Sequence, residues 1–178
     1  MSQHHERVAV LMGGWTAEAS VSRVSGSFCG QAARNAGWDA IEIEVDRDIS
    51  ATLAEFKPNR VFNALHGQIG EDGNIQGLLN IMNIPYTHSG LTASAIAMDK
   101  ILAKTMLAGC GIMVPPTLPL VEDTHVYPEN YCGAHVIKSH NYGSSLGVVI
   151  VKDPQNPPPS RSNWTADTHL MCEPFISG

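Results

Sequence analysis

Val8-Ala9-Val10-Leu11-Met12-Gly13-Gly14-Trp15-Thr16-Ala17-Glu18 is the stretch on which the fold turns. Five apolar residues in a row read as a strand buried on both faces, and the paired glycines end it. A helix is expected over residues 18–35. Val21, Val24, Phe28 and Ala32 recur there at helical spacing and predict its buried stripe, and Gly37 follows as a stop. Ile41, Ile43 and Val45 alternate with Glu42 and Glu44, which predicts a strand with one wet face. A short helix over 49–56 precedes Pro58, and residues 61–65 form the next apolar strand. Ile75, Leu78, Leu79 and Met82 then supply a helical stripe. The order strand–helix, three times over, predicts a parallel sheet of about four strands with right-handed crossovers. In such a sheet the ligand loops stand at the carboxyl ends of the strands.

The second half follows a different pattern. A helix over about residues 99–108 is closed by Gly109 and Gly111, and strand-like pieces follow at 114–120, 134–138, 148–152 and 170–175. This is an α+β arrangement, so two domains are expected, 1–95 and 96–178. Pro154, Pro157, Pro158 and Pro159 exclude a helix through residues 153–167, because an internal proline lacks a donor and clashes with the preceding turn.

The composition bounds the function. The 178 residues are 43% hydrophobic and 16% charged, enough for a buried core and too apolar for global disorder. No apolar run is long enough to span a membrane. Residues 1–7 are not followed by a signal-type apolar segment, so no secretory leader is expected, and His4 and His5 are expected in a loose terminus. A net charge of −6 argues against a general nucleic-acid or membrane-surface binder. A small anionic ligand held by a few placed lysines remains compatible with it. Cys29, Cys110, Cys132 and Cys172 stand far apart with no C-x-x-C pair, and read as separate thiols of a reducing cytoplasm.

Neither a phosphate-binding P-loop nor a G-x-G-x-x-G fingerprint occurs. Three segments carry chemistry instead. Glu18 stands at a helix start, as a dipole partner or as a ligand to a cationic group. His66-Gly67-Gln68-Ile69-Gly70-Glu71-Asp72-Gly73 lies at the carboxyl end of a strand, as a ligand loop or as an ordinary Asp-Gly turn. Lys138-Ser139-His140-Asn141-Tyr142-Gly143-Ser144-Ser145-Leu146-Gly147-Val148 delivers a lysine into a small-residue loop. Such a loop lets backbone N–H groups approach phosphate oxygens while the lysine adds a point charge. A plain hairpin tip is the alternative.

Taken together and in order, these segments resemble the D-alanine–D-alanine ligases. The resemblance also includes Gly73-Asn74-Ile75-Gln76-Gly77, Pro85-Tyr86-Thr87, Ser89-Gly90, Ala97-Met98-Asp99-Lys100 and Cys172-Glu173-Pro174-Phe175, and it runs over nearly the whole chain. It implies a Rossmann-like parallel-sheet (pre-ATP-grasp) domain followed by an incomplete ATP-grasp α+β domain. It implies ATP-dependent joining of two D-alanines through an acyl phosphate for peptidoglycan synthesis, with magnesium, in the cytoplasm and as a homodimer. By that resemblance Glu18 holds the ammonium group of the first D-alanine and His66 lines the substrate site. Lys100 and Lys138 contact ATP phosphates, and Ser144 helps to position substrate and Glu18. The loop 143–147, with Gly143, Ser144 and Ser145, folds over the phosphates. Glu173 pairs with the adenine amino group, and Phe175 and Ile176 form the hinge beside it.

The chain departs from the family in places. Ser139 and Tyr142 stand where a proline and a glutamate are usual, and the proline-rich segment replaces a helix. Family members continue beyond the equivalent of Gly178. That further part carries the magnesium ligands, an arginine over the transferring phosphate and a tyrosine-bearing loop. The chain alone is therefore expected to be inactive. A truncated nucleotide- or D-alanine-binding module, or a ligase making D-alanyl-D-lactate, are the other readings.

Overall fold

The computed structural model describes residues 4–177, with the backbone alone for His4 and His5. Within the expected loose terminus, Met1, Ser2 and Gln3 lie outside the described residues, whereas the backbone of His4 and His5 already belongs to the first strand. The chain divides after Ile96 into two compact units.

The first unit contains β1 (His4–Gly13), α1 (Ala19–Asn35), β2 (Trp38–Val45), α2 (Ile49–Phe56), β3 (Arg60–Asn63) and α3 (Asn74–Ile81), and α4 (Leu91–Met98) begins in it. Its sheet is parallel with the order β2-β1-β3. Three strands form it rather than about four; a single parallel bridge from Val61 to Tyr86 stands where a fourth was expected. β1 is central and both of its faces are covered. Ala9 and Leu11 pack with Ile43, Val45, Leu53 and Leu79 on one side, and Val8 and Val10 with Ala40 and Ala64 on the other. This two-sided burial is why the strand is apolar from Val8 to Met12.

α1 corrects the sequence reading. Its buried positions are Ala19, Ser22, Gly26 and Gly30. The predicted stripe faces outward instead, with Val21 56%, Val24 58% and Phe28 74% exposed, and Ala32 is exposed too. Close approach to the sheet decides this. A Cβ at Gly26 would overlap the Met12 side chain, and one at Gly30 the Glu42 side chain. α4 was not foreseen: its Ala- and Ser-rich sequence has almost no amphipathic pattern to reveal it.

The second unit holds α5 (Lys100–Gly109), β4 (Leu120–Glu122), β5 (Val126–Pro128), β6 (His135–Ser139), β7 (Val149–Val151) and β8 (Leu170–Pro174). β4 pairs with β5, and an antiparallel sheet runs β7-β6-β8. The strand expected over 114–120 is mostly irregular, because Pro115, Pro116 and Pro119 cannot donate to a ladder. Leu118 alone bridges to Cys172. Residues 153–167 hold a short 3₁₀ turn, Arg161–Asn163, and a single antiparallel bridge from Ser160 to His125. Trp164, which follows that turn, enters the core beside Val126, Ile137 and Cys172. Its indole N–H donates to the Gly147 carbonyl at 2.6 Å. Arg161 pins the same segment by donating to the carbonyls of Thr165, Ala166 and Thr168.

Candidate functional site

Each unit gathers part of the expected chemistry. In the first, the carboxyl ends of β1 and β3 are tied by one buried hydroxyl. The Gly13 N–H donates to Ser22 Oγ at 2.9 Å, and that hydroxyl donates to the Ala64 carbonyl at 2.8 Å. Glu18 occupies the position before α1, but its side chain makes no capping hydrogen bond. Its carboxylate lies against Gly67 instead, so closely that a Cβ there would overlap it. Gly67 also has φ +67°, a conformation that suits glycine. Glu18 and the loop carrying His66 are thus brought together at the ligand edge of the sheet.

That loop is braced from several sides. His66 Nε2 lies 3.1 Å from Ser25 Oγ, and His66 Nδ1 lies 3.8 Å from Glu71 Oε1. Glu71 Oε2 accepts from the Gly67 N–H at 2.9 Å, and Asp72 Oδ2 from the Ile69 N–H at 2.9 Å. The Gly70 carbonyl accepts from both Asn63 and Gln76. Ile69 is held at φ +74°, uncommon for a β-branched residue. The Asp-Gly segment is therefore more than a reversing turn: its acids order the backbone from 67 to 74.

In the second unit a cavity of about 440 Å³ is lined by Lys100, Lys138, Tyr142, Ser144, Ser145 and Glu173, with Phe175 and Ile176 on its apolar side. Gly143 borders it as well. Ser144 and Ser145 have φ +52° and +57°. Two successive left-handed residues, with the Leu146 N–H donating to the Gly143 carbonyl at 3.1 Å, make a primed hairpin turn at the tip of this loop. Lys100 Nζ donates to the Tyr142 carbonyl at 2.6 Å, which ties α5 to this loop. Burial lowers the Lys100 pKa, and the neighbouring Lys138 ammonium lowers it further.

Glu173 sits between two ammonium groups. Oε1 pairs with Lys138 and Oε2 with Lys104 at 3.1 Å. Burial pushes this carboxyl upward, but hydrogen bonds from the two lysines outweigh it and hold it below the usual carboxylate range. Two lining ammonium groups, Lys100 and Lys138, against one lining carboxylate, Glu173, leave the cavity net cationic, although the chain carries −6 overall.

Sequence reasoning missed Lys104 and the pair His140–Asp99. Lys104 was signalled only by its spacing of four from Lys100, which places both on one helix face. His140 Nδ1 lies 3.1 Å from Asp99 Oδ2, and the Asp99 carboxylate also accepts from the N–H groups of Ile101 and Leu102 to cap α5. Nothing in the sequence marked His140 as its partner. Among the described residues, no three His, Cys, Asp or Glu side chains converge to hold a metal ion.

Comparison with known proteins finds relatives over the whole chain. The family profile described as "D-ala D-ala ligase N-terminus" matches residues 42–89. A D-alanine–D-alanine ligase of Azorhizobium caulinodans is 47% identical over 100% of this chain and 58% of its own length. A D-alanine–D-alanine ligase B of Brucella suis is 44% identical over 97% of the chain and 57% of its own length. The chain thus spans little more than half the length of the curated relatives it matches. Among solved structures, a Bacillus anthracis D-alanine–D-alanine ligase superposes with a TM-score of 0.77 at 27% identity, covering 97% of this chain and 58% of that one. The same ligase complexed with ATP gives 0.75 at 26% identity, covering 97% and 60%. Over its whole length the chain is thus similar, in sequence and in fold, to little more than half of the D-alanine–D-alanine ligases it matches.

Proposed function

We propose that the chain contributes the amino-terminal and central part of an ATP-dependent enzyme that joins two D-alanines to D-alanyl-D-alanine. The cavity around Lys100, Lys138 and the 143–147 loop is the observation that carries this reading. Ammonium groups suit the phosphates of ATP, while a carboxylate beside Phe175 and Ile176 suits an amino-bearing planar base. Residues 1–95 are then the pre-ATP-grasp domain, and 96–178 the small ATP-grasp subdomain. The product would serve peptidoglycan synthesis, and through it cell-wall biogenesis and cell shape, in the cytoplasm. Among the described residues no helix is long and apolar enough to cross a membrane. The reading includes a homodimer, which sedimentation of the purified protein tests.

In this reading Glu18 accepts from the ammonium group of the first D-alanine, with His66 beside the reacting carboxylate. Lys100, Lys138 and the loop of Gly143, Ser144 and Ser145 orient and neutralise the phosphates, and the Ser144 hydroxyl helps to position substrate. Phosphoryl transfer to the first D-alanine's carboxylate gives an acyl phosphate, and the second amine displaces phosphate from it. The protein's part is positioning and cationic stabilisation. Magnesium would offset phosphate charge, held by ligands that the resemblance puts in the further part of the family; among the described residues no three His, Cys, Asp or Glu side chains converge on an ion.

Titrating the purified chain with ATP, adenosine and tripolyphosphate is the direct test. ATP is expected to bind more tightly than either part alone. Phosphate release with D-alanine is expected far below the ~1 per second of ordinary enzymes. Absence of ATP binding sinks the reading. Tight D-alanine binding with no affinity for ATP favours a substrate-binding module instead.

A further inference from the structure

We propose that Lys104 is a positioning residue that fixes the Glu173 carboxylate from behind, so that the cavity selects a 6-amino purine. This rests on the nucleotide reading above and assigns it a determinant of base specificity.

The two lysines that hold Glu173 are not equivalent. Lys138 lines the cavity, as Glu173 does, but Lys104 is not among the lining residues. Lys104 approaches from α5, and its ammonium is itself anchored on Thr117 Oγ1 at 3.1 Å. Its side chain is 15% exposed and that of Glu173 14%, so neither group has bulk water as a ready alternative partner.

A polyphosphate entering the cavity competes with Glu173 for Lys138, because that ammonium faces both. Once Lys138 turns to the phosphate, Oε1 of Glu173 is released toward the cavity. Oε2 stays on Lys104, which the ligand does not reach. A buried carboxylate left without any cation would take up a proton or swing away. With Lys104 in place it stays ionised and acceptor-only, with one oxygen free. That oxygen accepts from the 6-amino group of adenine and opposes the 6-carbonyl of hypoxanthine, since two acceptors face each other there. Lys104 thus acts on base selection without touching the ligand.

The experiment compares ATP, inosine triphosphate and tripolyphosphate binding to the full chain by calorimetry, for the unaltered protein and three variants. The unaltered chain is expected to prefer ATP over inosine triphosphate. Lys104→Met is expected to reduce that preference about tenfold, the usual weight of one hydrogen bond to a charged group, while tripolyphosphate affinity stays unchanged. Lys104→Arg is expected to restore it. Thr117→Val loosens the anchor without removing the cation, and is expected to lower the preference by about twofold to threefold in the same direction. That variant keeps the test decisive if Lys104→Met folds poorly. An unchanged ATP preference in Lys104→Met and Thr117→Val overturns the proposal, as does an equal loss of all three ligands, which would indicate a structural role. A loss of tripolyphosphate affinity alone also overturns it, because Lys104 would then be a phosphate ligand. If the unaltered chain binds no ATP, the nucleotide reading falls and takes this inference with it. If it binds ATP but the ratio does not respond to Lys104, only the inference falls.

Discussion

Gly67 shows how one missing side chain positions another. The Glu18 carboxylate occupies the space a Cβ would need, and φ is positive. Gly67→Ala is therefore expected to cost about 1–3 kcal/mol and to displace Glu18. Urea denaturation measures the first effect and D-alanine binding the second; a variant as stable as the parent would show that the contact is easily relieved. The cysteines provide a second test at this scale. Burial pushes the Cys172 thiol up to about 11, whereas Cys110 and Cys132 are exposed. A thiolate-seeking disulfide reagent at neutral pH is expected to modify Cys110 and Cys132 promptly and to spare Cys172 until the protein unfolds. Prompt modification of Cys172 in the native protein would contradict its placement.

At the scale of elements, α1 offers a sharp contrast. Its interior face is made of small residues and its outer face carries the larger apolar ones. Gly26→Ala is expected to destabilise by about 1–3 kcal/mol through overlap with Met12, while Phe28→Ser stays within about 0.5 kcal/mol of the parent. Thermal melts of the two variants check this, and the opposite order would restore the sequence-predicted stripe. The helix itself was legible, because spacing and the Gly37 stop depend on local chemistry alone. Its orientation was not, because periodicity counts large apolar side chains and cannot register that Gly26 and Gly30 let the sheet come close. The same limit explains α4, whose composition gives no stripe, and the irregular stretch around Pro115 and Pro116. β1, α2, α3, β6, β7 and β8 were legible, since each has an apolar run or alternation bounded by breakers. Of the candidate site, the lysines and the Gly–Ser loop stood out by type. Lys104 and His140 did not, because their charged partners, Glu173 and Asp99, lie about 40 or more positions away along the chain. The proline-rich segment is a further case, in which a core residue hides in loop-like sequence. Trp164→Ala is expected to cost about 3–5 kcal/mol of second-unit stability, measured by urea denaturation, and a loss under about 1 kcal/mol would remove Trp164 from the core.

For the whole molecule, the two units differ in how they are held. Ala9, Val10 and Leu11 at the centre of the first are fully buried, and cores lie on both sides of them. The second has one smaller core, and α5 buries no residue. Amide exchange is expected to be slowest along β1 and faster along α5. Acid should act on the second unit through Glu173. Its carboxyl is held below the ordinary value when folded, so its stabilisation is present above the ordinary glutamate range, near pH 4.3. It is lost as pH falls through the lowered value. The stability difference between the parent and Glu173→Gln is expected to shrink as the medium is acidified through that range. A difference that does not change with pH would mean that the two lysines do not hold the carboxylate in its charged form.

The indole of Trp164 donates to the carbonyl of Gly147, the last residue of the Gly–Ser loop. That bond makes the ring an optical sensor of the loop. Indole emission shifts in wavelength and intensity when its N–H loses a fixed partner and meets water. The other two tryptophans, Trp15 and Trp38, both lie in the first unit, so replacing them by phenylalanine leaves a single emitter beside the loop. Adding nucleotide to that protein in a stopped-flow cell would then show in real time whether residues 143–147 move, with no dye attached.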